Sequence, residues 1–319
     1  MASMMDISVI IPTFNRLWAL PRAIDSCLCA SAPAVEVIVV DDGSTDGTWD
    51  FLRDRSDIVA IRTPNWGKDW AVQAAMQVAS GDYVRFLDSD DWLKPGANAA
   101  QLAIARNADA DVVVAGYEDY RDDGMPSQVR PWVDCDDFIA QQLGEVAFSH
   151  YSAFLFRRSF VADIPHRQEF ALRDDRMFML EVAIAKPRIA AYREPAFVHR
   201  HHPLDRLQRH RGLHGRLAHY TNVQVMRKAI GLLELRGEAT PRRKRAAAAY
   251  LWPVVRDLAK TELDEAAAAA DWLFEVAPDY APPVRGIILA AYKRLGFRTT
   301  ERLIRLWALF RKPPPGPVS

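Results

Sequence analysis

The acidic chemistry of this sequence is concentrated in a few short stretches. Asp88-Ser89-Asp90-Asp91 places three carboxylates in four residues, directly after the apolar run Tyr83-Val84-Arg85-Phe86-Leu87. Carboxylates this close repel one another unless a cation offsets their charge. A hard divalent ion such as Mg²⁺ or Mn²⁺ suits oxygen ligands and keeps substrate phosphates in its shell. The two aspartates of a D-x-D leaving a strand can converge on one ion; a solvated turn before a helix beyond Pro95 fits the same residues. A second acidic turn, Asp41-Asp42-Gly43-Ser44-Thr45-Asp46-Gly47, follows Glu36-Val37-Ile38-Val39-Val40. Gly43 permits a tight turn or close ligand approach. Asp42 is an acceptor only and suits the N–H of a base, while Thr45 or Asp46 suits a helix start. A plain turn and cap is the alternative reading. Asp174-Asp175 likewise fits a favourable helix start.

Positive charge gathers elsewhere. Six of the eight histidines lie between His199 and His219, and Arg200, Arg206, Arg209 and Arg211 share that interval with Asp205. Such a stretch suits closure over a diphosphate or a lipid-linked phosphate, or a solvated or core-edge segment. It lacks the H-E-x-x-H spacing of a zinc protease. Lys68, within Trp66-Gly67-Lys68-Asp69-Trp70, offers its charge to a diphosphate or to solvent. Asp119, Asp122 and Asp123 read as a solvated loop, or as part of a mobile acceptor side. Residues 285–312 carry eight Lys or Arg against Glu301 alone, a net +7. Ile288, Tyr292, Leu295, Leu303, Leu306, Trp307 and Phe310 recur there near helical spacing. A basic amphipathic helix of this kind lies on an anionic membrane, packs its apolar face internally, or meets a protein partner.

These groups need a scaffold, and the first 115 residues supply an alternating one. Short β-branched runs at 7–11, 36–40, 58–61, 83–87 and 111–115 are separated by helical stretches at 17–30, 45–53 and 69–79. Strands alternating with helices predict parallel β-α-β units. Ligands of such sheets gather at the carboxyl ends of the strands, where both acidic turns begin. Residues 116–170 predict loops, antiparallel excursions and one helix near 134–143. A helix over 172–185 and a strand and loop over 188–199 follow. From Leu204 the β-branched runs fade, and helices are expected near 204–232, 242–260, 263–276 and 283–311.

The chain has 319 residues with Lys plus Arg and Asp plus Glu both at 41. This balance excludes a disordered chain, a fibrous repeat and a general nucleic-acid binder. Cys27, Cys29 and Cys135 lack the spacing of a zinc site and read as incidental thiols in a reducing compartment. No leader is expected in Met1 to Asp6, and no run approaches the ~18 apolar residues of a spanning helix.

The motifs in their order resemble family 2 glycosyltransferases of the GT-A type. The matching pieces are Val9-Ile10-Ile11-Pro12-Thr13-Phe14-Asn15, Val39-Val40-Asp41-Asp42-Gly43-Ser44-Thr45-Asp46-Gly47, Ala79-Ser80-Gly81-Asp82-Tyr83 and Phe86-Leu87-Asp88-Ser89-Asp90-Asp91. The resemblance implies a GT-A catalytic domain over 1–203, with a mostly parallel central sheet, and leaves 204–319 as a mainly helical appendage. It implies a metal-dependent inverting transfer from a nucleotide-diphosphate sugar to a hydroxyl of a glycan or lipid-linked acceptor. Pro12, Thr13, Phe14, Asp42, Lys68, Asp88 and Ser89 fall to the nucleotide sugar. Asp88 and Asp90 fall to Mn²⁺ or Mg²⁺, with Asp91 and His202 as further ligands. Asp175, from Asp174-Asp175-Arg176-Met177-Phe178, is the expected general base. Asp174, Arg200 and His201 are placed on the acceptor or diphosphate side. Val72 and Gln73 stand where the family often has arginine and asparagine. A role in bacterial polysaccharide or lipopolysaccharide synthesis, in the cytoplasm or peripherally on the inner face of the cell membrane, is the implied setting. A nucleotidylyltransferase would want a glycine-rich basic loop after the first strand, and Pro12-Thr13-Phe14-Asn15 is not one. A noncatalytic sugar-binding protein would be expected to lose the metal pair or the base.

Overall fold

The computed structural model describes residues 5–28, 33–202 and 213–310. Two compact units divide the chain: Met1–Phe138 with Val146–Asp205, and Ile139–Glu145 with Arg206–Ser319. Residues 139–145, within the stretch assigned by sequence to the catalytic domain, group with the helical unit.

The first unit opens with β1 (Ile7–Thr13), α1 (Leu20–Cys27), β2 (Val35–Asp41), α2 (Thr48–Arg53), β3 (Val59–Arg62), α3 (Lys68–Val78) and β4 (Tyr83–Phe86). The four strands pair in parallel in the order β3-β2-β1-β4. Every residue of β1 is buried, as a strand covered on both faces requires. Ser8 is tolerated there because its hydroxyl donates to Glu36 at 2.6 Å. The same carboxylate accepts from the Ser80 and Gly81 backbone at 2.7 and 3.1 Å.

Beyond β4 the sheet becomes mixed. β5 (Trp92–Leu93), α4 (Ala97–Asn107), β6 (Val112–Arg121), β7 (Gln128–Arg130), α5 (Phe138–Gln142), β8 (Leu155–Arg157), α6 (Arg158–Val161), α7 (Asp174–Ile184) and β9 (Ile189–His201) follow. β8 is antiparallel to both β4 and β6, whereas β9 runs parallel to β6. The stretch holding Asp119 is therefore strand rather than loop: β6 continues five residues past its buried half because β9 pairs along it to Arg121↔His201. Arg85 on β4 is fully buried, donating to Asn98 at 3.1 Å, to the Ser152 carbonyl at 3.0 Å and to Gln101. It thereby ties the sheet to the turn carrying His150 and Tyr151.

The second unit contains α8 (Leu213–Leu235), α9 (Pro241–Leu258), α10 (Leu263–Val276) and α11 (Gly286–Phe310). Thr240 caps α9 by accepting from the Arg243 N–H at 3.3 Å, just ahead of Pro241, a favourable pairing at a helix start. Its core is Trp252, ringed by Phe274, Tyr280, Tyr292 and Phe297. α11 is not the single helix expected over 283–311. It breaks at Gly296, whose φ of 74° ends the first half. Tyr292 and Phe297 are buried, while Leu303, Leu306 and Trp307 remain exposed. Among the described residues no helix is long and apolar enough to cross a membrane.

Candidate active site

Parallel register brings the strand ends of the first unit to one rim. Thr13 pairs with Asp41 and Asp41 with Arg62, while the Leu87 N–H donates to the Ile10 carbonyl at 2.9 Å. The loops leaving β1, β2, β3 and β4 therefore emerge side by side. Asn15 and Ser44 cross-link the first two: Asn15 N–H donates to Ser44 Oγ and Thr45 N–H to Asn15 Oδ1, both at 2.8 Å. Gly43 has φ 78°, and a Cβ there would lie 2.8 Å from the Asn65 nitrogen, so the close approach it permits is to protein backbone. Thr13 and Pro12 are buried below the rim, and Phe14 is exposed on it.

Asp42 is 4% exposed and both its oxygens are engaged. Oδ1 accepts from Thr63 Oγ1 at 3.0 Å and Trp66 N–H at 2.8 Å, and Oδ2 from Gly67 N–H at 2.8 Å. It thus fixes the turn that launches α3. Lys68, the first residue of α3, sends Nζ to Asp88 Oδ1 at 2.5 Å and lies 5.2 Å from the Tyr151 ring centre. Burial alone would lower the Lys68 pKa, but the charges of Asp88, Tyr151 and Asp175 outweigh it and raise it well above the ordinary value. Conversely, burial opposes ionisation of Asp88, yet Lys68, followed by His150, holds that carboxyl below the usual range.

Behind Asp88 the acidic loop splits in function. Ser89 is buried. Asp90 Oδ2 lies 2.8 Å from His202 Nε2, a direct pair of a carboxylate oxygen and an imidazole nitrogen. Asp91 Oδ1 accepts from the Arg200 N–H at 2.8 Å and so anchors β9. The Arg200 guanidinium sits 4.8 Å from the Trp18 ring centre and donates to Asp122 at 2.9 Å. His201, one residue on along β9, faces the other way; its Nε2 lies 2.8 Å from Asp119 Oδ1, away from Asp90. Residues 203–212 of the basic stretch lie outside the described residues.

The first turn of α7 carries the remaining carboxylates. Asp175 is partly exposed, and its charge acts on Lys68, His150 and Asp69. Asp174 corrects its sequence assignment: it is 4% exposed and turned inward rather than toward an acceptor or diphosphate. Its oxygens meet His166 Nδ1 at 2.5 Å and the Arg167 N–H at 2.7 Å. The physical reason is the helical start, which points adjacent side chains in different directions. Against Asp174 lies Asp69 of α3. Burial first, then the Asp174 charge, pushes the Asp69 carboxyl up to about 8, so it holds a proton that it can donate to Asp174. Gln73 adds a second link, donating to the His166 carbonyl at 2.7 Å. Val72 is buried in the core.

Asp69, His150, Tyr151 and His166 were not singled out from the sequence. Asp69 stands beside Lys68 and the other three sit apart from the motifs; only tertiary packing gives each a partner at the site.

Residues 8–164 match the family model for Glycosyl transferase family 2. That stretch, which carries most of the candidate site, belongs to the family. A putative teichuronic acid biosynthesis glycosyltransferase of Bacillus subtilis, TuaG, is 36% identical over 125 residues, covering 38% of this chain and 50% of its own. The chain spans half or less of the length of the curated relatives it matches. Among solved structures, S. aureus TarS 1-349 in complex with UDP-GlcNAc superposes with a TM-score of 0.67 at 18% identity, covering 96% of this chain and 93% of that one. The mannosyltransferase PcManGT of Pyrobaculum calidifontis, in complex with GDP-Man and Mn²⁺, gives 0.53 at 19% identity, covering 96% and 88%. These likenesses establish the GT-A fold.

Proposed function

We propose that the chain is a metal-dependent, inverting glycosyltransferase that moves a sugar from a nucleotide-diphosphate donor to a hydroxyl of a glycan or lipid-linked acceptor. The observation that carries this reading is the convergence on Lys68: Asp88 pairs with it directly, and the charge of Asp175 acts on it. The donor-side acid is held beside Lys68, and the charge of the proposed base reaches the same ammonium. TarS, solved with UDP-GlcNAc, and PcManGT, solved with GDP-Man and Mn²⁺, support a nucleotide-sugar donor on this fold.

Asp175 takes the proton of the acceptor hydroxyl as its oxygen bonds to the anomeric carbon. The bond from that carbon to the diphosphate oxygen breaks on the opposite face, and its electron pair leaves with the nucleoside diphosphate. One base and one displacement give inversion; two carboxylates flanking a glycosidic bond, as hydrolysis requires, are not what the first turn of α7 offers, since Asp174 points inward. Asp90 and His202 would hold the cation, which when bound offsets charge on the leaving diphosphate. Lys68 orients Asp88 and adds positive charge beside the same diphosphate. Phe14 and Pro12 line the base pocket, and Asp42, through the Trp66–Gly67 turn, shapes its floor. The exposed, basic outer half of α11 supports peripheral attachment to an anionic membrane face.

The test is a panel of nucleotide sugars incubated with Mn²⁺, scored by nucleoside diphosphate release. At least one donor is expected to turn over, and Asp90→Asn is expected to remove that turnover. No metal-dependent signal with any donor would overturn the reading.

A further inference from the structure

The pairing of β6 with β9 creates a second constellation of ligating atoms, separate from Asp90 and His202. Asp119 on β6 stands directly opposite His199 on β9, and His201 follows two residues later on the same strand face. His199 Nδ1 and His201 Nε2 lie 3.2 and 2.8 Å from the same oxygen, Asp119 Oδ1. The three ligand atoms all fall within 4.8 Å of one another. A tetrahedral zinc ion with bonds of about 2.0–2.1 Å needs ligand atoms about 3.3 Å apart, so small shifts of side chains already in place would complete half a coordination shell and more. Arg130 from β7 donates to Asp119 Oδ2 at 2.9 Å, which fixes the carboxylate with Oδ1 toward the imidazoles, as an outer partner of a metal ligand does. His150 stacks on His199 with ring centres 5.4 Å apart and restrains its rotation.

We propose that Asp119, His199 and His201 form a second metal site, selective for a transition ion of the zinc class. Two imidazoles and one carboxylate favour zinc over magnesium or manganese, which sets this site apart from the oxygen-rich D-x-D. Three protein ligands leave a fourth position, and the 37% exposure of the His201 side chain gives water or an anionic oxygen access to it. Binding here pins the polar ends of β6 and β9 together where no apolar burial does so, on the strand whose next residue, His202, faces Asp90.

The test uses the full chain, stripped with a chelator and titrated with Zn²⁺ against a chromophoric competitor in excess Mg²⁺. One zinc per chain is expected, weakened about 100-fold or more in His199→Ala and in Asp119→Asn, and little changed in Asp90→Asn. His201→Gln keeps a donor to Asp119, and with it the strand pairing, and is expected to lose zinc without losing fold by circular dichroism. No stoichiometric zinc, retention in His201→Gln, or loss that follows Asp90 instead would overturn the proposal. The readout is bound metal, so it stands or falls independently of sugar transfer.

Discussion

Asp174 and Asp175 are adjacent and chemically identical, and the fold gives them opposite tasks. The inward one is held by His166 and the Arg167 N–H, and the outward one is left partly exposed within the field of Lys68. Asp175→Asn is therefore expected to lower kcat by about 10²–10⁴-fold, the range of a lost general base, while donor affinity by calorimetry stays near wild type. Near-normal turnover in that variant would remove Asp175 from the chemistry. The acidic motifs were legible in the sequence because their residue types are unusual at strand ends. Lys68 was legible only as a charge offered to a diphosphate or to solvent, since the 20 positions separating it from Asp88 conceal a direct ion pair.

At the scale of elements, α3 and α7 meet through Asp69 and Asp174. Asp69 keeps its proton in the fold up to about 8, whereas an unperturbed aspartate loses it near 3.8. Between those values the folded chain binds more protons than the unfolded one, so stability falls as pH rises through that window and levels off above it. Asp69→Asn supplies a permanent N–H donor to Asp174 and removes the slope. Its thermal midpoint at pH 8 should exceed wild type, a gain on the order of 1–3 kcal/mol, with little difference near pH 4. A lower midpoint at pH 8 would show that Asp69 is ionised and needed as such. This contact was invisible in the sequence because 105 positions separate its members and neither belongs to a periodic pattern. The strands β1, β2 and β4 were readable from their continuous apolar runs. The outer ends of β6 and β9 were not, since backbone pairing rather than apolar burial holds Asp119 to Arg121 in register with His199 to His201.

Over the whole molecule, a net charge of zero conceals a division: residues 285–312 carry +7, so the remainder carries −7. The acidic share includes the strand-end rim, and α11 carries Lys293, Arg294, Arg298, Arg302 and Arg305 against Glu301, with Leu303, Leu306 and Trp307 exposed on its outer half. The chain is expected to sediment with vesicles rich in anionic lipid and not with neutral ones, weakening as salt rises past about 0.15 M. Trp307→Ser should reduce that binding several-fold. Equal affinity for neutral vesicles, or none for either, would contradict a membrane role for α11. The sequence showed the amphipathic spacing of this helix but not its break at Gly296, because a lone glycine inside a helical pattern is compatible with either course.

The proposed reaction is a single displacement driven by Asp175 across from a cation held at Asp90. The stereochemistry of transfer tests it most directly. With a donor identified from the nucleotide-sugar panel, the anomeric configuration of the first-formed product can be read by proton NMR. A product of inverted configuration, formed by wild type and lost in Asp175→Asn, is the expected result; retention of the donor's configuration would contradict the account.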